Sequence, residues 1–222
     1  MLFALGTPKA FAALLVSFLL GLMLRAIAIR LTARSLGLAD RRESIRPSLR
    51  EDVDPFGAVA AALGGMGWGH KLSVDEFYRY RSRGRAALVF LSGPLVTIVL
   101  GEIIIGAYAL AYPNGGLDFL TPGIVLQGVK GDTGPVILLS LGVGLLSFGL
   151  LAIIPIPPLD GFGVLYYALR RPGNGIQWMR LWFEEKNLGV LILLICCLFP
   201  LPYPFLMRIL NALGLVFLRL WG

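Results

Sequence analysis

An aspartate, Asp160, stands directly after an apolar run broken by Pro155, Pro157 and Pro158, in LAIIPIPPLDGFGVLYY (residues 151–167). A carboxylate there could ligate a metal, exchange a proton, pair with a cation or simply hold a turn before Gly161, a position where Asp is common. Other groups able to do chemistry are few. Arg25 lies in the apolar run LMLRAIAI and Glu102 in VLGEIII, where an ionisable side chain is a functional candidate unless it reaches water near an interface. His70 is the single histidine of the chain and reads as a loop residue, since no companion histidine shares a ligand spacing with it. Cys196 and Cys197 are adjacent within an apolar run, which suits neither a disulfide framework nor a metal site and makes them core or lipid-facing filler.

These groups must be positioned by elements that live in lipid. The chain is 57% hydrophobic with mean hydropathy +0.79, and its apolar runs approach the length of a bilayer crossing. The formal charge of +7 sits in clusters between those runs, as juxtamembrane charge does, so lipid headgroups and no nucleic acid are the expected partners. Residues 1–222 leave no room for a separate soluble domain, and one integral membrane domain is expected. The first apolar segment follows Lys9 without a small-residue cleavage pattern and is read as retained.

Spans are expected at 10–31, 86–111 and 135–156, with 187–220 forming two short helices around the PLPYP turn at 200–204. The glycine-rich 55–69 is too short to cross and reads as re-entrant, backbone that membranes tolerate only when protein buries it. The expected architecture is therefore an all-α bundle of about five full spans plus one re-entrant or partial segment. Basic loops 31–54 and 70–85 and the segment 157–186 would face the cytoplasm, of a bacterial or archaeal cytoplasmic membrane, and the poorly basic 112–134 the outside. Tyr166, Tyr167, Trp178, Trp182 and Phe183 read as an interfacial belt, and 40–54 as a solvated connector.

IPIPPLDG resembles the N-x-x-P-x-P-x-L-D-G signature of the site-2 protease family, intramembrane zinc metallopeptidases whose motif aspartate is a metal ligand. TARSLG (32–37), DPFG (54–57), Gly67–Trp68 and LSGP (91–94) resemble further elements of that family, in its order and across most of the chain. The resemblance implies a site-2 protease type of bundle with Asp160 at the vestigial metal-ligand position. It also implies H-E-x-x-H on the first core helix, where two histidines share one face and the glutamate activates water. Residues 25–29 read RAIAI, so Arg25 and Ile29 stand at the histidine positions and Ala26 at the glutamate position. The family's asparagines likewise fall on Ala152 and Thr97.

From that register the chain is expected to be no enzyme, to lack zinc, and to act by binding, as an accessory or scaffolding subunit among other membrane proteins. Two alternatives stay open: an active intramembrane metalloprotease with an atypical site, and a transporter or channel component using Arg25, Glu102 and Asp160. The resemblance would bring Arg25 and Asp160 within a metal's span, and an ion pair between them is expected in the metal's place. Otherwise Arg25 would snorkel to the interface and Asp160 would face water or cap its turn.

Overall fold

The computed structural model describes residues 2–39, 44–72, 83–200 and 203–221, and every regular element among them is helical. Besides short 3-10 turns at Leu2–Gly6 and Leu117–Phe119, these are in order α1 (Pro8–Ser35), α2 (Leu49–Asp52), α3 (Pro55–Gly64), α4 (Arg83–Ala111), α5 (Pro122–Leu126), α6 (Thr133–Ala152), α7 (Asp160–Ala168), α8 (Asn174–Met179), α9 (Leu188–Leu198) and α10 (Phe205–Leu218). Helix α8 runs on into a π-helical stretch, Arg180–Glu185. Arg41, Arg42, Arg79 and Arg81, counted above in the basic loops, lie outside the described residues.

Among the described residues three helices, α1, α4 and α6, are long and apolar enough to cross a membrane, which points to a lipid environment. The two further full spans expected in 187–220 fall on shorter helices. Helices α9 and α10 have 11 and 14 residues. At about 1.5 Å per residue they reach roughly 16 and 21 Å, short of a hydrocarbon core of about 30 Å. The reason is local: Pro200 and Pro204 interrupt the apolar run, and Pro204 takes the N-cap position of α10.

Helix α6 is the most buried of the three long helices and packs against both α1 and α4. Small residues set those crossings. A β-carbon at Gly101 of α4 would lie 2.7 Å from the Leu146 nitrogen, and one at Gly142 of α6 would lie 2.9 Å from Ile105 Cγ1. On the same helix Gly144 faces Ser17 of α1 and Gly149 faces Pro94, Thr97 and Ile98 of α4. Close approach at these glycines is therefore made within the chain, the van der Waals packing that replaces the hydrophobic effect between helices in lipid.

Between α2 and α4 the chain goes in as a helix and comes back extended. Asp54 caps α3, its carboxylate accepting from the N–H groups of Phe56 at 2.8 Å and Gly57 at 3.2 Å, with Pro55 in the first turn. The helix stops at Gly65, whose φ of +79° is the left-handed conformation that glycine adopts without strain. Trp68–Gly69–His70 then returns beside the entry point, with an antiparallel bridge between Val53 and Gly69 and a 2.8 Å bond from His70 N–H to Asp52 O. Ala60, Ala61, Met66 and Trp68 are all buried, so the hairpin's backbone at this depth is covered by protein.

Candidate functional site

Asp160 opens α7, immediately after the Ile154–Leu159 turns in which the Pro157–Pro158 peptide is cis. Its place in the first helical turn puts the carboxylate where unpaired N–H groups and the helix dipole favour negative charge. Arg25 projects from the middle of the third quarter of α1 into the same space. Its Nε donates to Asp160 Oδ2 and its Nη2 to Asp160 Oδ1, both at 2.5 Å, the parallel two-pronged arrangement that a guanidinium makes with a carboxylate. Nη1 donates to the His70 carbonyl at 3.1 Å. One side chain thus links α1, the return of the hairpin and the start of α7.

The junction is close-packed. Arg25 is 7% exposed and Asp160 2%, and the cavity beside them, about 10 Å³, holds at most a single water. Gly93 of α4 and Gly69 of the hairpin lie against the guanidinium's stem and head: a β-carbon at Gly93 would sit 2.8 Å from Arg25 Cγ, and one at Gly69 would sit 3.1 Å from Nη1. Neither glycine was singled out for this role from the sequence. The signal available was their place in LSGP and GWG, two short glycine motifs.

The remaining site residues scatter. Ala26 and Ile29 are buried on α1 and offer only aliphatic groups. His70 gives its backbone carbonyl to Arg25 while its side chain is exposed. Thr97 is buried and bonds back to its own helix, Oγ1 to Pro94 O at 2.9 Å. Glu102 belongs to a different contact: its Oε2 accepts from the Trp221 indole N–H at 3.0 Å, and the Trp221 ring covers Gly106 one turn further along α4. Arg25, Glu102 and Asp160 are therefore split between two partnerships. The aromatic set divides as well. Tyr166 and Tyr167 are buried, Tyr167 against Phe90 at 5.8 Å, whereas Trp178 and Trp182 are exposed and stack at 6.1 Å.

A second ion pair anchors the hairpin's base. Arg30 Nη2 lies 2.7 Å from Asp52 Oδ1, Arg30 Nη1 donates to Arg46 O at 2.7 Å, and Ser48 N–H donates to Asp52 Oδ2 at 2.8 Å. On the exit side Lys71 Nζ donates to Glu184 O and Asn187 Oδ1, each at 3.0 Å.

Zinc would need three or four nitrogen, sulfur or oxygen donors at about 2.0–2.3 Å. Among the described residues no three His, Cys, Asp or Glu side chains come together, and both oxygens of Asp160 already accept from Arg25. The donor set at this junction does not fit the ion.

No protein-family model matches the chain, and no solved structure matches it. Among proteins of known description it is similar to "Putative zinc metalloprotease YwhC" of Bacillus subtilis (strain 168), with 27% identity over 161 residues, 72% of this chain and 67% of that protein. That similarity overturns the expectation that the chain is no enzyme, because the relative's name points to protease activity. It also supports the resemblance carried by IPIPPLDG and the motifs that precede it: a protein helical throughout its described residues, with helices long and apolar enough to cross a membrane and likeness to a protein named as a zinc metalloprotease.

Proposed function

We propose that this protein engages membrane-embedded polypeptide, holding a transmembrane segment of another subunit as an accessory or scaffolding component of a membrane complex. The observation that supports this reading is the junction of Arg25, Asp160 and the His70 carbonyl. Its polar groups bond one another and tie three elements together, so what the molecule presents outward is apolar helix surface. On α4 alone Leu88, Leu95, Val99, Ile103 and Leu110 are exposed. Lipid satisfies such a surface, and so does the apolar flank of a partner helix; Gly101, Gly142, Gly144 and Gly149, which permit close helix approach, are already engaged internally, so the outer contact would rest on the larger exposed side chains.

Purification from native membranes in mild detergent, with photo-crosslinking from Val99 and Ile103, tests it. The expected result is a stoichiometric membrane-protein companion crosslinked through a transmembrane segment. Crosslinks confined to lipid, on a chain that purifies without companions, would refute it.

The similarity to a named zinc metalloprotease favours a second reading, hydrolysis of a membrane-embedded peptide. The same crosslinked companion separates the two: recovered whole, it is held, and recovered as a fragment ending within its membrane segment, it is cut.

A further inference from the structure

We infer that the Arg25 guanidinium is the resident cation of this junction, holding α1, the hairpin return and α7 together, and that the junction takes no zinc. The inference goes beyond the binding role, and it bears on the second reading as well: any hydrolysis at this junction would have to proceed without zinc. It starts from the carboxylate. Asp160 is 2% exposed, and a buried carboxylate needs a positive charge or several donors to stay there. A divalent metal and a guanidinium are two ways to supply that charge. Each demands a different surrounding.

The surroundings suit the guanidinium. Glycines lie against it at two places: a β-carbon at Gly93 would meet its stem, and one at Gly69 would meet Leu22 first and press on Nη1. Its donors are matched in direction to the two Asp160 oxygens and to the His70 carbonyl, three acceptors from two chain segments. The surroundings do not suit zinc. The side chains of Ala26 and Ile29 have no lone pairs, and Trp68, which lines the small cavity at the pair, carries an indole N–H that can only donate. Bringing a dication to Asp160 would also set it against a fixed positive charge in a medium that screens poorly. Zinc could enter only by expelling Arg25, and the expelled charge would have to leave a 7% exposed position on a membrane helix.

Metal content and coupling test this together. Protein produced in zinc-supplemented medium and purified in mild detergent is expected to carry zinc far below stoichiometry, with a thermal midpoint that a chelator does not move. Stoichiometric zinc that is lost in Asp160→Asn would overturn the inference. Arg25→Met is expected to lower the midpoint and to speed amide exchange across 54–72, because the hairpin loses its bond through His70 O. Arg25→Met combined with Asp160→Asn is expected to regain much of the lost midpoint, since no charge is then left alone. Equal losses in the single and double variants would sink it, whereas a single variant that fails to fold beside a folded double variant supports it. Should both fail, Arg25→Lys decides: the charge stays and the fork is lost, so a midpoint clearly below wild type is expected, and a wild-type midpoint would show that the guanidinium's geometry is irrelevant.

Discussion

Two carboxylates sit in apolar helices of this protein, and they are accommodated in opposite ways. Asp160 meets a full positive charge through two bonds at the centre of the molecule, and the same guanidinium reaches a third element. Glu102 meets one neutral donor, the Trp221 indole, near a ring that is 44% exposed. The first arrangement is interdependent: take away either partner and the other is a buried charge with nothing opposite it. The second is local, one hydrogen bond between α4 and the chain beyond α10, worth no more than such a bond usually is. Glu102 is also only half-buried, and burial alone does not say how much a charged residue matters. The charge of its partner, and the number of elements joined, say more.

The comparison is broken most directly at Arg25. Arg25→Ala is expected to destabilise by about 3–5 kcal/mol, read as a lowered thermal midpoint in detergent or nanodiscs, while adding Asp160→Asn is expected to restore a large part of that loss. If Arg25→Ala costs no more than Trp221→Phe, the distinction between the two sites fails.

Gly93 probes the cradle without touching a charge. Gly93→Ala puts a β-carbon 2.8 Å from Arg25 Cγ, and overpacking of that kind costs about 1–3 kcal/mol. Because the obstacle is the arginine stem, the cost is expected to shrink in an Arg25→Ala background. Additive losses from the two substitutions would mean that Gly93 is constrained by something other than Arg25.

How much of this was legible in the sequence differs between fold and site. The three long apolar runs announced α1, α4 and α6, since length and hydropathy are what a bilayer selects. Residues 55–69 announced an irregular segment through shortness and glycine content, and the helix-in, strand-out path follows from Asp54 at its head and Gly65 at its tip. The last apolar run was harder: three prolines mark a break, yet only the folded lengths of α9 and α10 show how short the pieces are. At the site, Arg25 and Asp160 stood out as charges in apolar surroundings. The glycine cradle and the His70 carbonyl did not, because a missing β-carbon and a backbone oxygen carry meaning only once their neighbours are known. Likewise nothing near Trp221 in the chain points to Glu102, 119 residues away.

The hairpin supplies a test of intermediate size, since its path also depends on the Asp54 cap. Asp54→Ala removes the acceptor for two N–H groups of α3 and is expected to cost about 1 kcal/mol. Faster amide exchange should be confined to Phe56, Gly57 and the first turn, with the return strand still held by Arg25. Exchange spreading to Trp68–His70 would show that the cap, and not the guanidinium, holds the hairpin down.

The smallest effects are expected at Glu102. Trp221→Phe keeps the ring over Gly106 and deletes the indole N–H, so it isolates one hydrogen bond, worth about 0.5–1.5 kcal/mol. Glu102→Gln keeps an oxygen able to accept from Trp221 and removes the ability to carry charge. If the contact is only a local bond, this substitution leaves the midpoint within about 0.5 kcal/mol of wild type, and the pair Glu102→Gln with Trp221→Phe costs no more than Trp221→Phe alone. Asp160→Asn, the chemically equivalent change at the other carboxylate, leaves Arg25 as a buried charge facing a neutral amide and is expected to cost several times as much. The contrast between these two acid-to-amide substitutions, measured side by side, is the sharpest form of the comparison: equal costs would show that both carboxylates are held in the same way, and that the guanidinium at Asp160 contributes nothing an indole N–H could not.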